Sequence, residues 1–288
     1  MTALKSKYHI NEMAEFLKVS RSAFYRWQRF GESQKAREDA NLKVRIRKLF
    51  ERSRQTYGAV RIAKDLQDED VKCGRFRTTR LMKELSLIPK AKKKFKATTD
   101  SKHNKGFAPN LLGQKFAVAA PDMVWAGDIT YVPTREGWLY LAVVIDLFSR
   151  KVVGWAMSDR IKKELVINAF NMAARNRKLL PDLIFHSDKG SQYCSDDFKK
   201  ALEKVKAIQS MSGKGNCYDN AVVESFFHTL KVEELHNLIF LTRDSAKRCI
   251  FEYIEMFYNK KRRHSYINYL SPEKFENYYR INNLEDVA

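Results

Sequence analysis

The spacing of apolar residues divides the chain near residue 118 into two parts. Upstream of this position, apolar residues recur at the three- and four-residue spacing of amphipathic helices. Downstream of it, alternating and continuous apolar runs that are typical of strands are interspersed with helical spacing. The pattern therefore predicts an N-terminal all-α region followed by an α/β domain.

Two short helices joined by a turn are predicted at the N-terminus. Apolar residues at helical spacing between 10 and 17 give the first helix, and Ser20 is a favourable N-cap for the second. The second helix carries Arg21 and Arg26 beside aromatic residues. We interpret residues 1–38 as a helix-turn-helix whose Arg21 and Arg26 contact DNA, the alternative being a small helical bundle that reads no groove.

A second helical region is predicted over residues 39–89, and Pro89 ends its last helix because proline cannot continue one. Arginines crowd the start of that helix, so Arg77 is a candidate DNA contact in a second helix-turn-helix-like module. Residues 90–117 form a basic linker whose lysine run includes Lys93. Such a run is either simply solvated or lies along DNA phosphates.

Five strands and three helices are predicted in the α/β part. The strands cover residues 124–132, 138–147, 151–158, 183–186 and 207–211, and the helices cover residues 163–177, 196–205 and 218–235. This order predicts a mixed five-stranded sheet with flanking helices over residues 118–236. Residues 237–288 are expected to form a C-terminal helical extension.

The positive charge of the chain is concentrated in its N-terminal part. The net charge is +20, and residues 1–121 hold 29 basic and 12 acidic groups against 25 and 22 in residues 122–288. Clustered Lys and Arg favour a polyanionic partner, and counterion release makes nucleic acid the expected one. A solvated basic surface or an association with ribosomes are the alternatives.

Neither a membrane protein nor a disulfide framework is indicated. The apolar runs are far shorter than the ~20 residues that cross a bilayer. The 4 cysteines are scattered without a Cys-x-x-Cys pair, which fits a reducing compartment. We expect a cytoplasmic protein.

Three acidic residues are candidates for metal-dependent chemistry. Asp128 interrupts the apolar alternation of the first strand, where a carboxylate without a partner or metal is costly. Asp188 follows the end of the fourth strand, where ligands collect in open α/β sheets. On the last helix, Asn220, Glu224 and Lys231 fall within about 40° of one another. The alternative for each carboxylate is an ordinary cap, turn or surface group.

Carboxylate oxygens suit Mg²⁺ or Mn²⁺, and two such ions ~4 Å apart assist in-line phosphoryl displacement. The segments around these residues, 125–131, 186–193 and 218–231, resemble the signature blocks of the OrfB-type bacterial insertion-sequence transposases. That family belongs to the DDE superfamily with the retroviral integrases. Thirty-five residues separate Asp188 from Glu224, which is the spacing typical of the family.

The resemblance extends to other parts of the chain. Lys231, seven residues after Glu224, matches a basic position of the family. Residues 43–89 resemble its upstream helix-turn-helix region, and a C-terminal block is also similar, namely Asn259, Arg262, His264 and Ser271-Pro272. Lys189 departs from the pattern because arginine is commoner there.

The resemblance implies a ribonuclease-H-like core in which Asp128, Asp188 and Glu224 bind the metal ions. It also implies nicking at the ends of the element and attack of the freed 3′-OH on another phosphodiester. DNA contacts are expected for residues in or near the signature blocks, namely Lys231, Asn220, His186, Lys189, Gln192, Tyr193 and Arg262.

The expected partners follow from this chemistry. They are the terminal inverted repeats, a target DNA, further copies of the chain on DNA, and an upstream OrfA-type product that is separate or joined by a frameshift. Two alternatives remain open, a related nuclease without strand transfer and a catalytically inactive DNA-binding regulator.

Overall fold

The computed structural model of the chain describes residues 1–90, 107–213, 217–236 and 238–284. The chain divides into two compact units, Met1–Pro89 and Lys90–Ala288, which are described separately. No helix in the described ranges has both the length and the apolar character needed to cross a membrane.

The first unit is entirely helical, as predicted. Its helices are α1 (Ile10–Phe16), α2 (Arg21–Phe30), α3 (Gln34–Arg52), α4 (Ala59–Asp68) and α5 (Arg75–Glu84), preceded by a short 3₁₀ turn (Thr2–Leu4). The Ser20 hydroxyl accepts a hydrogen bond from the backbone N–H of Ala23 at 3.1 Å, so this residue caps α2 as expected.

One predicted boundary in this unit is wrong, because α3 runs without a break through residues 38 and 39. The polar start of α3 has no apolar stripe that would reveal it, and Ser33 caps it by accepting from the N–H of Ala36 at 3.2 Å. The same polar turn of α3 supplies the carboxylate of Asp39, which receives hydrogen bonds from Arg77 at 2.8 Å and Arg80 at 2.6 Å. These bonds tie α5 to α3.

The second unit is built on the mixed five-stranded sheet that the sequence predicts. Its strands are β1 (Val124–Thr134), β2 (Gly137–Asp146), β3 (Val152–Ser158), β4 (Ile184–Ser187) and β5 (Ile208–Met211). The order across the sheet is β3-β2-β1-β4-β5. The first three strands are antiparallel neighbours, whereas β4 pairs in parallel with both β1 and β5. The prediction of an α/β fold is confirmed.

Helices flank this sheet, and they are α6 (Lys163–Asn176), α7 (Asp196–Glu203), α8 (Ala221–Leu230), α9 (Arg243–Phe251) and α10 (Pro272–Leu284). Helix α6 approaches β3 closely at Gly154, where a Cβ atom would lie 2.2 Å from the carbonyl oxygen of Ala169. The core beneath α6 and α7 is aromatic, with Phe170, Phe185 and Phe198 fully buried in edge-to-face contacts. This packing fixes the layer that supports β1 and β4.

The long helix predicted over residues 218–235 is in fact three segments. A 3₁₀ turn (Cys217–Asn220) precedes α8, and a π-helical turn (Lys231–Leu235) follows it. A second π-helical segment (Glu252–Tyr258) continues α9, and a 3₁₀ turn (Ser265–Ile267) precedes α10. The two π segments are joined by the buried Glu233, whose carboxylate accepts from Tyr253 at 2.8 Å and from Arg262 at 2.7 Å. The distant partners of Glu233 are not visible in local periodicity.

A buried cluster of charges connects α10 to the sheet. Arg177, which follows α6, contacts Asp122 at 2.7 Å, Asp146 at 3.2 Å and Glu276 at 2.7 Å. Asp122 lies two residues before β1, Asp146 is the last residue of β2, and Glu276 lies on α10. Removal of Arg177 leaves three buried acidic groups without their common cation.

We therefore expect Arg177→Met to lower the free energy of unfolding by about 3–5 kcal/mol, because the buried carboxylates lose their shared cation and only Glu276 keeps another, Lys151. Lys247→Met is the matched control, since Lys247 forms an exposed ion pair with Asp244 at 3.0 Å that contributes under about 1 kcal/mol. Urea unfolding of both variants measures the difference. Equal losses in the two variants would contradict a special role for the buried cluster.

Candidate active site

Two of the three candidate carboxylates lie side by side at the edge of paired strands. Strands β1 and β4 run parallel with Gly127 opposite Ser187. The residue after Gly127 is Asp128 on β1, and the residue after Ser187 is Asp188, just beyond the end of β4. Neighbouring strands are about 4.8 Å apart, so the pairing brings these two acidic residues together although 59 positions separate them in sequence.

The environment of Asp128 opposes its ionisation. Burial raises the pKa of this carboxyl well above its ordinary value of 3.8, and the charges of Asp188 and Glu224 raise the pKa further. Opposing contributions come from the Ile129 N–H, which donates to the carboxylate at 2.7 Å, and from the Lys231 cation. Asp128 is thus surrounded by like charges that a cation would offset.

The glycine before Asp128 allows the close packing that places this carboxylate. A Cβ atom on Gly127 would lie 2.6 Å from the ring of Phe185 and 3.3 Å from the hydroxyl of Tyr193. A larger residue at this position would push β1 away from the aromatic core. The Asp188 side chain is oriented by its own turn, since it accepts a hydrogen bond from the N–H of Gly190 at 2.9 Å.

Glu224 reaches the site through the first turns of the segment that contains α8. The side-chain amide of Asn220 donates to the Gly127 carbonyl at 3.3 Å, so the start of this segment is attached to β1 beside Asp128. Glu224 lies about one helical turn further and is exposed. Although the residue as a whole is exposed, partial burial of its carboxyl group raises the pKa, and the charge of Asp188 raises it further.

The three carboxylates thus lie within electrostatic reach of one another without forming a closed ligand set. In the ranges that the structure describes, no three acidic, histidine or cysteine side chains are close enough to hold one metal ion together. The oxygen-only donor set and the raised pKa values of Asp128 and Glu224 nevertheless match the requirements of a hard divalent cation.

Asp219 is a buried residue of the site that the sequence interpretation missed. Its carboxylate accepts from Asn110 at 2.9 Å, from Gln114 at 3.1 Å and from the Gly213 N–H at 2.7 Å. These bonds connect the C-terminal part of the predicted linker to the turn that precedes Glu224. The sequence feature that could have revealed Asp219 is its position next to Asn220 in the segment 218–231.

Cations with partial exposure line the site. The Lys231 ammonium lies 5.2 Å from the ring centroid of Tyr131, and burial lowers its pKa. Lys189 lies over Phe107 at 4.7 Å, and Gln192 donates to the carbonyl of Ile161 at 3.4 Å. Lys231 therefore lies near Asp128, and Lys189 and Gln192 lie in the turn that follows Asp188. The contacts of these three residues with DNA stay predictions.

Four residues predicted to contact DNA are instead buried and have structural partners. His186, Tyr193, Asn220 and Arg262 are each at most 5% exposed, which leaves almost no surface for a direct contact. These four predictions are corrected accordingly. A signature block marks positions that the fold requires as well as positions that face the substrate.

His186 and Tyr193 belong to the interior of the second unit. The His186 ring lies between the hydroxyls of Ser210 at 2.9 Å and Ser212 at 3.3 Å, and burial lowers its pKa to about 4. Tyr193 packs on Phe198 with the ring centroids 5.3 Å apart, and burial raises the pKa of its hydroxyl. Arg262 is held by Glu233 through two bonds of 2.7 Å.

The residues predicted to bind DNA in the N-terminal half differ in their surroundings. Arg21 and Arg26 are exposed on α2, and Arg21 also donates to Asn11 at 2.9 Å. Arg77 is engaged by Asp39 and Glu38 within its own unit, so part of its charge is compensated. Lys93 lies outside the described residues.

Comparison with known families identifies the class of protein. The integrase core domain family matches residues 118–217, and a second integrase core domain family matches residues 224–279. The HTH-like domain family matches residues 36–95. Together with the mixed sheet, these matches define an integrase-core enzyme of the ribonuclease-H-like class with a helix-turn-helix-like region upstream.

Relatives over nearly the whole chain identify the family. The uncharacterized 31 kDa protein of insertion element IS600 from Shigella sonnei is 47% identical and covers 93% of this chain and 98% of its own length. The transposase InsF for insertion sequence IS3A from Escherichia coli is 42% identical over 95% of this chain and 96% of its own. The chain belongs to this family of insertion-sequence transposases, and the resemblance predicted from its motifs is confirmed.

Solved structures with a similar chain path are viral integrases. A simian T-cell lymphotropic virus intasome chain has a TM-score of 0.46 and 17% identity, covering 74% of this chain and 73% of its own. The HTLV-2 integrase catalytic core, whose structure includes magnesium, has a TM-score of 0.43 and 18% identity, covering 55% and 97%.

The raised pKa of Asp128 predicts a pH-dependent gain in stability when its charge is removed. Ionising this carboxyl disfavours the folded state, so the penalty is absent at low pH and grows as the pH rises above 3.8. In the presence of a chelator, we expect Asp128→Asn to melt at a higher temperature than the wild type. The gap should be small near pH 4 and larger at pH 7.

The exposed Glu203 on α7 provides the control, because Glu203→Gln removes a carboxylate of the same unit outside the site. Thermal melts of the three proteins across this pH range test the expectation. A melting temperature of Asp128→Asn that stays below the wild type at pH 7 would show that the carboxylate is not destabilising.

Proposed function

We propose that this transposase cuts DNA at the ends of an insertion sequence and transfers the freed 3′-OH to a second phosphodiester, with Asp128, Asp188 and Glu224 as its metal ligands. One observation carries this assignment. The parallel pairing of Gly127 with Ser187 sets two carboxylates side by side, and the Asn220–Gly127 hydrogen bond brings the third from another part of the chain.

The metal ions that this site fits are Mg²⁺ or Mn²⁺, and we propose two of them. Three carboxylates supply only hard oxygen donors, and the charge of Asp188 opposes ionisation of both Asp128 and Glu224. When bound, such ions activate the attacking oxygen and stabilise the leaving one. The like-charge repulsion at Asp128 is the observation that supports a cation at this position rather than a neutral hydrogen-bonded carboxyl.

The side chains of this chain have the tasks of holding the ligands and orienting the DNA. Asn220 and the Gly190 N–H keep Glu224 and Asp188 in place through the bonds described above. Lys231 is about two helical turns beyond Glu224 and is close enough to Asp128 for its charge to affect the pKa there. We propose that Lys231, Lys189 and Gln192 bind the phosphates that flank the cut.

DNA-end recognition is proposed for the N-terminal half. The exposed Arg21 and Arg26 on α2, together with Arg77 and Lys93, are the proposed contacts to the terminal inverted repeats. Both ends of an element must be held at once, so we propose a multimer on DNA, with a target DNA and an upstream OrfA-type product as further partners. We also propose that the protein acts in the bacterial cytoplasm, on the chromosome.

Loss of any one carboxylate is expected to stop cleavage but not binding. Asp128→Asn, Asp188→Asn and Glu224→Gln should each lower the rate of nicking by more than about a hundredfold, which exceeds the loss of a residue that merely supports a metal ligand. The assay is Mg²⁺- or Mn²⁺-dependent nicking of a plasmid that carries paired element ends.

Glu203→Gln is again the control and should nick like the wild type. Joined products in the same plasmid assay separate a transposase from a nuclease that only hydrolyses. A variant of the triad that still nicks at the wild-type rate would remove that residue from the ligand set. Wild-type binding without nicking or joining would favour the regulator.

The α2 arginines are expected to contribute to the salt dependence of DNA binding. Each phosphate contact adds about 0.9 to the slope of log affinity against log salt, so Arg21→Ala with Arg26→Ala should reduce the slope by about 1.8. Fluorescence anisotropy over a salt series measures it in the full chain. Lys247→Ala, a cation of the second unit, should leave the slope unchanged, and an unchanged slope in the double variant would move the contact elsewhere.

A further inference from the structure

Two large aromatic side chains are exposed on one face of the sheet beyond the carboxylates. Tyr131 on β1 is 45% exposed and Trp138 on β2 is 49% exposed. Their ring centroids are 4.9 Å apart with the planes at 79°. The strand register sets Tyr131 opposite Tyr140 and Pro133 opposite Trp138, so the two rings are diagonal neighbours on the same face.

Cations surround this aromatic pair. The Lys231 ammonium is 5.2 Å from the Tyr131 ring centroid. Arg243, the first residue of α9, donates from its guanidinium to the Trp138 carbonyl at 3.1 Å. The exposed Arg135 lies in the turn between β1 and β2, where Glu136 is the acidic neighbour and accepts from the Arg243 backbone N–H at 2.8 Å. The local charge is therefore positive on balance.

The position along β1 relates the pair to the carboxylates. Tyr131 is three residues beyond Asp128, about 10 Å along the strand, and because side chains alternate along a strand the two side chains point to opposite faces of the sheet. The bases of one strand rise 3.4 Å per step in duplex DNA, so this distance equals about three steps of a strand that keeps duplex-like stacking. Lys231 bridges the interval, because its charge acts on both Asp128 and the Tyr131 ring.

We propose that Tyr131 and Trp138 form a stacking platform for an unpaired nucleobase of the DNA strand that is cut at the carboxylates, with Lys231 binding an adjacent phosphate. This inference rests on the proposed function. Aromatic faces next to cations match the two parts of a nucleotide, a flat base and a charged backbone. A purely apolar protein partner would match the two rings but not the basic residues beside them.

The platform has a consequence for the kind of DNA that is bound. Every base has a π-face, so stacking tolerates sequence but requires that the base be unpaired. The protein should therefore prefer an end with a few unpaired nucleotides over a blunt duplex of the same sequence. Stacking of one base corresponds to a preference of about tenfold.

The test compares two DNA probes with one protein background. One probe is a duplex with a three-nucleotide unpaired overhang, and the other is the blunt duplex of the same sequence. Glu224→Gln serves as the background so that neither probe is cut. In that background, Trp138→Ala is expected to abolish the preference for the overhang, and Trp138→Phe is expected to retain most of it.

Position and fold are controlled in the same experiment. 2-Aminopurine placed at successive overhang positions should be quenched most about three nucleotides from the reactive end, and Trp138→Ala should remove this maximum. Tyr278→Ala changes another exposed aromatic residue, which is 60% exposed on α10, and should leave the preference and the maximum unchanged. Thermal melts verify that each variant is folded.

Retention of the overhang preference in folded Trp138→Ala would overturn the proposal. An equal loss of affinity for both probes would overturn it too, because the residue would then act on duplex DNA. A change in sedimentation mass without a change in preference would instead assign the pair to a protein interface. The nicking assay of the wild type is a separate experiment. Loss of the overhang proposal therefore leaves the proposed metal ligands untouched, and an error in those ligands would appear in the nicking assay instead.

Discussion

The arrangement of the candidate site depends on one constraint, which is that the fold holds three acidic side chains together although their negative charges repel one another. The charge of Asp188 raises the pKa of both Asp128 and Glu224, and the three residues come from a turn, a strand and a helix that are far apart in sequence. The strand register and the Asn220–Gly127 hydrogen bond oppose their separation. Asp219 adds a third attachment by joining the turn before Glu224 to Asn110 and Gln114. Polar contacts around the site hold its elements together, and the buried aromatic core supports the paired strands β1 and β4 from below.

Charge also determines how the C-terminal segment attaches to the sheet. The Arg177 cluster connects α10 to the ends of β1 and β2. The Glu233–Tyr253 hydrogen bond connects the two π segments, and Glu233 also pairs with Arg262 beyond the second segment. Buried ion pairs contribute less to net stability than to the choice of one arrangement among several, since any other arrangement leaves a charge unpaired. We regard both clusters as interactions that fix the orientation of the C-terminal helices against α8.

Much of the fold and the triad could be predicted from the sequence, because both leave local traces. The alternation in β1, the continuous apolar run of β2 and the acidic residue that interrupts β1 are visible without any structure. The start of α3 was missed because its first turns are polar on all sides. The roles of His186, Tyr193, Asn220 and Arg262 were missed because polarity does not indicate burial. Arg262 is buried by an acid 29 positions away, and local pattern has no access to such a partner.

The π turn at Lys231–Leu235 gives this part of the chain a strict dependence on length. A π turn holds one residue more than an α turn. Deletion of a single residue there would produce an ordinary α-helix of better local geometry, but everything downstream would rotate by about 100° around the helix axis. Glu233 would then face away from Arg262, and the C-terminal helices would lose their phase relative to Glu224. The number of residues in this turn therefore matters as much as their identity, and a frame-preserving deletion here is more disruptive than most substitutions.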